Sequence, residues 1–453
     1  MSLTPDEWLY RLALQMDDRR SRIDTLRSYM DGNAPLPEGA ENCREAYQKF
    51  QRKARTNFGE LVVDAVAERM CPIGFQVAGA DSKEAWAIWK RNRMRVKSFD
   101  LFRDMLGLSA GYLMLSPSSS RGTIITQERP EQAITESDPT LPEVVRAGLK
   151  IYRDGPLKHD FAFLHLPGMV FRFKRPAMDD NGLFKQLPYA TTGWELVTAE
   201  PSGLSFVPMY PFENRERRGE FETHLDVLDR INWGILQRLV ITAMQAYRQR
   251  GFKGDLPTED DQGNEIDYKN MFKPGPGQLW QIPEGIDIWE SQIGDLTQIL
   301  SGAKDDIRDL AAVTRTPMSS FVPDGANQTA EGAAFAKEGL IFKTGDRAAR
   351  ADSSLAAAIG GALAIEAGES APVTDVETLW APFEMRSLAE KADASTKAQD
   401  LPWRTRMIEV WGFSVEQVDE METLRANDAL LAQTFAPPPP PPEPTLSPAD
   451  VTG

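Results

Sequence analysis

Between residues 222 and 365 the chain carries three long helical patterns, interrupted by two segments whose composition forbids helix. Residues 222–250 set Leu225, Leu228, Ile231, Ile235, Leu239 and Ala243 on one stripe at the 3.6-residue period. Thr223 with Asp226 forms a capping-box pattern, acids occupy the first turns, and Arg248 and Arg250 stand at the end, as the helix dipole favours. A second pattern over 295–315 repeats Leu296, Leu300, Ala303, Ile307 and Leu310, with Asp295 and Gln298 as its cap. The third begins after Thr329 and runs to about Ile365. At ~1.5 Å per residue the first would be about 43 Å long and the third about 50 Å.

The first interruption, 251–290, is rich in Gly and Pro with short strand-like pieces. The second, "TPMSSFVPDGANQT" at 316–329, contains Pro317, Pro323 and Gly325, which exclude a continuous helix. Its length exceeds the usual 2–8 residues between helices and marks function or disorder. The apolar Met318, Phe321 and Val322 favour function.

Helices are also expected over 4–30, where Thr4 and Glu7 bracket Pro5, and over 55–70 and 82–95. From about 106 to 215 the period changes. "GYLMLS", "GTIIT", "LKIYRD", "FAFLHL" and "MVFRFKR" are short, aromatic and β-branched runs separated by Gly, Pro and Asp, which predicts strands. A strand at 376–386 and helices at 388–399 and 414–432 follow. Six prolines, 437–442, then fix extended backbone, so 436–453 is expected to be a disordered tail. The fold class is α+β, mainly helical.

The 453 residues allow two to four domains. With 51 Lys and Arg against 67 Asp and Glu, the net charge of −16 argues against a general electrostatic grip on DNA. Cys43 and Cys71 have no zinc or disulfide spacing, which fits a reducing, intracellular origin. The N-terminus lacks the apolar core of a secretory signal, and "LAAAIGGALAI" at 355–365 is too short to span a bilayer. Neither export nor a membrane is expected.

Enzyme signatures are missing: no P-loop and no strand-linked GxGxxG occurs. His159, His165 and His224 are the only histidines; the first two read as strand residues rather than a catalytic pair. "TEDDQGNEID" at 258–267 lacks the EF-hand order and reads as a solvated turn, while Asp305 and Asp306 read as exposed helix surface. Catalytic, metal and cofactor residues are therefore expected to be absent. "QRKART" (51–56), "KRNRMRVK" (90–97) and "NRERRGE" (214–220) can neutralise phosphates, but pairing with acidic neighbours is the plainer reading. Trp86 and Trp89, three apart, read as anchors of a helix to a core.

The whole arrangement resembles the portal proteins of long-tailed bacteriophages. The resemblance runs from "YMDGNAPLP" (29–37) and "FQRKARTNFGELVVDAVAERMCPIGF" (50–75), through "TRTPMSSFVPDGANQTAEGAAFAKEGL" (314–340), to "WGFSVEQVDEMETLRANDA" (411–429). It rests on order and spacing rather than on one motif. It implies a homo-oligomeric ring, typically of twelve subunits, at the unique capsid vertex, assembled from host cytoplasm. Double-stranded DNA would be packaged through it by the terminase and later ejected. The implied partners are the terminase large subunit, a head-tail adaptor, and the major capsid and scaffolding proteins. Carried onto this chain, the resemblance makes 1–221 an α/β wing, 222–250 and 291–315 stem helices, and 251–290 a small clip. It makes 316–329 the tunnel loop, 330–386 the long wing helix and returning strand, and 387–435 a helical crown.

On that reading Met318, Ser319, Ser320, Phe321, Val322, Asn327 and Gln328 face DNA. The loop has no Lys or Arg and one acid, Asp324, so it would touch DNA without holding it. Lys253, Tyr268, Lys273, Trp280 and Trp289 would form the terminase- and adaptor-binding surface of the clip. Two alternatives stay open: a non-portal helical structural or scaffolding protein, and a metal-dependent nuclease with a dispersed site.

Overall fold

The computed structural model describes residues 3–37, 45–178, 182, 187–246, 250–254, 258–259, 263, 287–290, 297–322, 330–384 and 387–434. Asn327, Gln328, Tyr268, Lys273, Trp280, most of "TEDDQGNEID" and the proline tail lie outside them. The chain forms two compact units, one from 1–23, 64–219 and 340–453, the other from 24–63 and 220–339.

The first helix, α1 (Pro5–Met30), starts where sequence predicts. The Thr4 backbone N–H donates to Glu7 at 2.7 Å and the Glu7 N–H to Thr4 Oγ1 at 3.4 Å, the reciprocal capping box. The helix expected over 55–70 is present as α3 (Phe58–Ala67), and it is preceded by a helix that the sequence reading did not place, α2 (Glu45–Ala54). After strands β1 (Pro72–Val77) and β2 (Ala80–Asp81) comes α4 (Lys83–Arg91). It ends early because Asn92 turns its amide to Ile88 O at 3.0 Å and Thr123 O at 2.9 Å, while Arg93 is left-handed at φ 55°. A new helix, α5 (Met94–Leu108), occupies the boundary where strands were expected to begin.

In the first unit β3 (Ala110–Ser118), β4 (Gly122–Glu128), β5 (Ala133–Ser137), β6 (Val145–Asp154), β7 (His159–Leu166), β8 (Met169–Pro176), β9 (Glu195–Pro201) and β10 (Met209–Glu213) contain all five predicted strand runs. They form a five-stranded antiparallel sheet, β5-β6-β7-β8-β9, and a three-stranded one, β10-β3-β4. Alternation decides which face is covered. Leu149, Ile151, Ala162, Leu164 and Phe173 are buried against Trp8, Leu9, Leu12, Ala13 and Met16 of α1. Each large apolar side chain buried there contributes about 1.5–3 kcal/mol relative to exposure. At the polar end of that face Asp160, 3% exposed, accepts from Arg153 Nε at 2.7 Å and Arg175 Nε at 3.1 Å.

The second unit holds α2, α6 (Leu225–Ala246), β11 (Arg250–Lys253), β12 (Asp287–Glu290), α7 (Thr297–Thr314) and the one-turn α8 (Met318–Phe321). Leu228, Ile231 and Leu236 supply the buried stripe of α6. Asn232, 2% exposed on the same helix, accepts from Thr56 N at 2.9 Å and Thr56 Oγ1 at 2.8 Å. This satisfies backbone freed by the break between α2 and α3.

The third long helix is α9 (Ala330–Ala367). In the first unit its Gly360–Gly361 pair permits close approach. A Cβ on Gly360 would overlap the Val373 carbonyl oxygen, and one on Gly361 the Tyr210 hydroxyl. The chain returns through β13 (Val376–Trp380), which pairs with β1, shorter than the 376–386 expectation. Helices α10 (Leu388–Lys397), α11 (Trp403–Arg406) and α12 (Val415–Thr434) end the described chain. The turn around α11, continued as a π-helical turn to Trp411, had no sequence expectation.

Candidate functional site

The segment after α7 is built by a helix end that closes on itself. Thr314 Oγ1 donates to Leu310 O at 2.7 Å and lies 3.1 Å from Thr316 Oγ1, whose hydroxyl can donate to it, and both threonines are 3% exposed. Arg315 takes φ 52°, the left-handed conformation that stops a helix. Thr316 N then donates back to Ala311 O at 3.0 Å.

Pro317, with φ fixed near that of a helix, starts α8. The sequence expectation of fourteen irregular residues is therefore corrected at 318–321, where Val322 N closes a turn on Met318 O at 3.0 Å. The turn sorts its side chains. Ser319 and Ser320 are exposed, whereas Met318, Phe321 and Val322 are partly buried. Phe321 meets Phe58, the first residue of α3, edge to face at 5.4 Å. Among the described residues 316–322 no side chain is charged.

Helix α7, which leads into this turn, packs against α6 as an antiparallel pair. Arg230, near the start of α6, donates to Asp306 at 2.7 Å and Asp309 at 3.1 Å in the second half of α7. Asp306 is thus a pairing residue rather than free surface, while Asp305 is exposed and pairs with Arg308 at 2.8 Å. Between the two helices β11 and β12 form an antiparallel ladder in which Gly251 faces Trp289 and Lys253 faces Asp287. The Lys253 side chain is exposed. The structure so brings Met318–Val322 into one turn and Lys253 and Trp289 onto one ladder. Phe58, Arg230 and Arg315 carry the arrangement and were not singled out from sequence. Only the phase of Arg230 against the 305–309 acids hinted at a pair.

The other sequence candidates take structural places. In "KRNRMRVK", Lys90 pairs with Glu416, Arg91 with Glu366, and Lys97 donates to Ile125 O at 2.6 Å. Trp89 is 2% exposed against Phe75, and Trp86 Nε1 donates to Glu416 at 3.1 Å. His165, 7% exposed on β7, has both ring nitrogens without partners among the described residues; burial, then Lys150, pushes its pKa down to about 4. No group of three or more metal-ligating side chains occurs among the described residues, and no described helix is long and apolar enough to cross a membrane.

The family described as "Phage portal protein, SPP1 Gp6-like" matches residues 11–428. The chain belongs to this family. This portal-family chain is 25% identical over 457 positions to the portal protein of Mycobacterium phage L5, covering 95% of this chain and 90% of the relative. The portal protein of Mycobacterium phage D29 is 24% identical over 419 positions, covering 87% and 83% respectively. Among solved structures it is similar to a chain of the virion of a native gene transfer agent particle, at 12% identity and TM-score 0.41, covering 86% of this chain and 99% of that one. A chain from the neck of the empty particle gives 12% identity and TM-score 0.43, covering 86% and 93%. The portal family is one of structural virion proteins, and the mixed, mainly helical fold agrees with membership.

Proposed function

We propose that this portal-family chain is the subunit of a ring-shaped channel at one vertex of a phage capsid. Double-stranded DNA enters through it during packaging and leaves through it at ejection, and head-tail connector proteins attach to it. The family match over residues 11–428 carries this reading. The chain acts by shape and charge, without a catalytic centre.

The order of parts supports specific roles. Helices α6 and α7 are the stem, the β11–β12 ladder belongs to the clip, and the 316–329 segment narrows the channel. Exposed, uncharged Ser319 and Ser320 offer DNA weak contacts, and their lack of charge avoids the salt-dependent grip of Lys or Arg on phosphate. Lys253 and Trp289, with Tyr268, Lys273 and Trp280 of the same insert, are assigned to terminase and adaptor binding. Met318, Phe321, Val322, Asn327 and Gln328 complete the DNA-facing loop.

Light scattering with particle imaging tests the ring. Particles of about 600 kDa, twelve times the 50.5 kDa chain, with a central hole support it. A solid two-fold dimer that cleaves DNA with Mg²⁺ overturns it in favour of the nuclease alternative.

A further inference from the structure

The five-stranded sheet buries one face under α1 and leaves part of the other open. Cross-strand register puts Tyr152 opposite Phe161, Phe161 opposite Lys174, and Phe163 opposite Arg172, so these side chains share the open face. Their rings form a continuous aromatic surface. Tyr152 stacks on Phe163 at 6.1 Å and 13°, and lies 5.7 Å from Phe161. The Arg172 guanidinium lies 4.8 Å over Phe161 and 5.6 Å over Phe163.

Arg172 is the unusual member. Its Nε is buried and has no hydrogen-bond partner among the described residues. A desolvated N–H of a cation without an acceptor costs free energy, so Arg172, buried at Nε but partly exposed as a residue, is an under-satisfied cation that favours a nearby anion. Its neighbours are already engaged. Lys150 donates to Glu128 at 2.7 Å, and Lys174 lies 3.8 Å from Glu195. One available cation among aromatic rings suits a single carboxylate on an apolar segment, and does not suit a polyphosphate track.

The chain itself contains such a segment. Pro437–Pro442 is followed directly by Glu443, and 436–453 has no Lys or Arg. Consecutive prolines have no N–H to add to a strand edge. They dock instead through ring and carbonyl contacts on aromatic surfaces, with little conformational entropy left to lose. At ~3.1 Å per residue six prolines extend about 19 Å, longer than the ~10 Å between the outer strands of three spaced ~4.8 Å apart, so the run is long enough to cross β6–β8.

We propose that the open face of β6–β8 is the docking site for the chain's own polyproline tail. The prolines lie across the partly exposed Tyr152 and Phe163, between which Phe161 is buried, and the Glu443 carboxylate accepts hydrogen bonds from Arg172.

Photo-crosslinking in the full-length chain tests this, with benzoylphenylalanine replacing Phe435. Crosslinks are expected on peptides carrying Tyr152, Phe161 or Phe163. Arg172→Glu and Glu443→Arg should each lower their yield about tenfold, the loss of one charge-assisted bond, and the double charge swap should restore it. Glu443→Arg alters only the tail, so its effect is read even if Arg172→Glu misfolds. Crosslinks directed elsewhere, or a yield unchanged by Glu443→Arg, overturn the proposal. The outcome is independent of ring formation.

Discussion

Phe321, the last residue of a one-turn helix, rests edge-on against Phe58 at 5.4 Å, and this contact ties the segment after α7 to the start of α3. Truncating Phe321 to Ala removes an aromatic pair worth about 0.5–1.5 kcal/mol beyond its area. The expected result is faster proteolysis around 316–322, with the thermal midpoint lowered by only a few degrees. A chain cleaved at the wild-type rate shows that the contact does not order the segment.

Ser319→Arg with Ser320→Arg places two cations on exposed positions of the proposed constriction. Packaging in a reconstituted system should slow, and more so at low salt, because each phosphate contact adds salt-dependent affinity. Unchanged rates at all salt concentrations remove these residues from the DNA path.

Gly360→Ala should destabilise strongly. The added methyl meets the Val373 carbonyl, a backbone atom that cannot rotate away, and Val373 N already donates to Gly360 O at 3.2 Å. Overpacking of this kind costs about 1–3 kcal/mol or more. Denaturant titration measures the loss; Gly302→Ala, where a Cβ meets nothing within 4 Å, is the control and should be neutral or stabilising.

His165 makes stability fall with acid. The unfolded chain takes up a proton near the ordinary value of 6.5, while burial holds the folded side chain neutral down to about 4. In that window the unfolded state binds more protons, so stability declines as pH drops from 6.5 toward 4, by about 3 kcal/mol at full extent. His165→Leu should flatten this part of the pH profile, and an unaltered slope refutes the assignment.

The attachment of α12 to α4 should also weaken in acid. Hydrogen bonding by Lys90 holds Glu416 below its ordinary 4.5, and by Lys83 holds Asp419 below its ordinary 3.8. These depressed carboxylates stabilise docking above those values and lose it as pH falls through and below them. Trp86 donates to Glu416, so the emission difference between wild type and Trp86→Phe should titrate below pH 4.5 and respond to salt. A difference insensitive to both shows that Val415 and Val418, the buried residues of α12, hold it alone.

Sequence by itself determined the long elements and their order, because a sustained 3.6-residue stripe or an alternating run specifies backbone type locally. The helices α6, α7 and α9, the capping box at Thr4 and the five strand runs fall where the pattern puts them. The family resemblance was legible for the same reason, resting on order and spacing. Tertiary structure alone decided where α4 stops and α5 begins, since Asn92 chooses between continuing a helix and bonding Thr123 O in β4. It also decided that 318–321 coils into a turn against Phe58, that Arg230 reaches Asp306, and that Gly360 and Gly361 are points of close approach. Each depends on a partner distant in sequence, and side-chain periodicity within one segment carries no information about what will be packed against it.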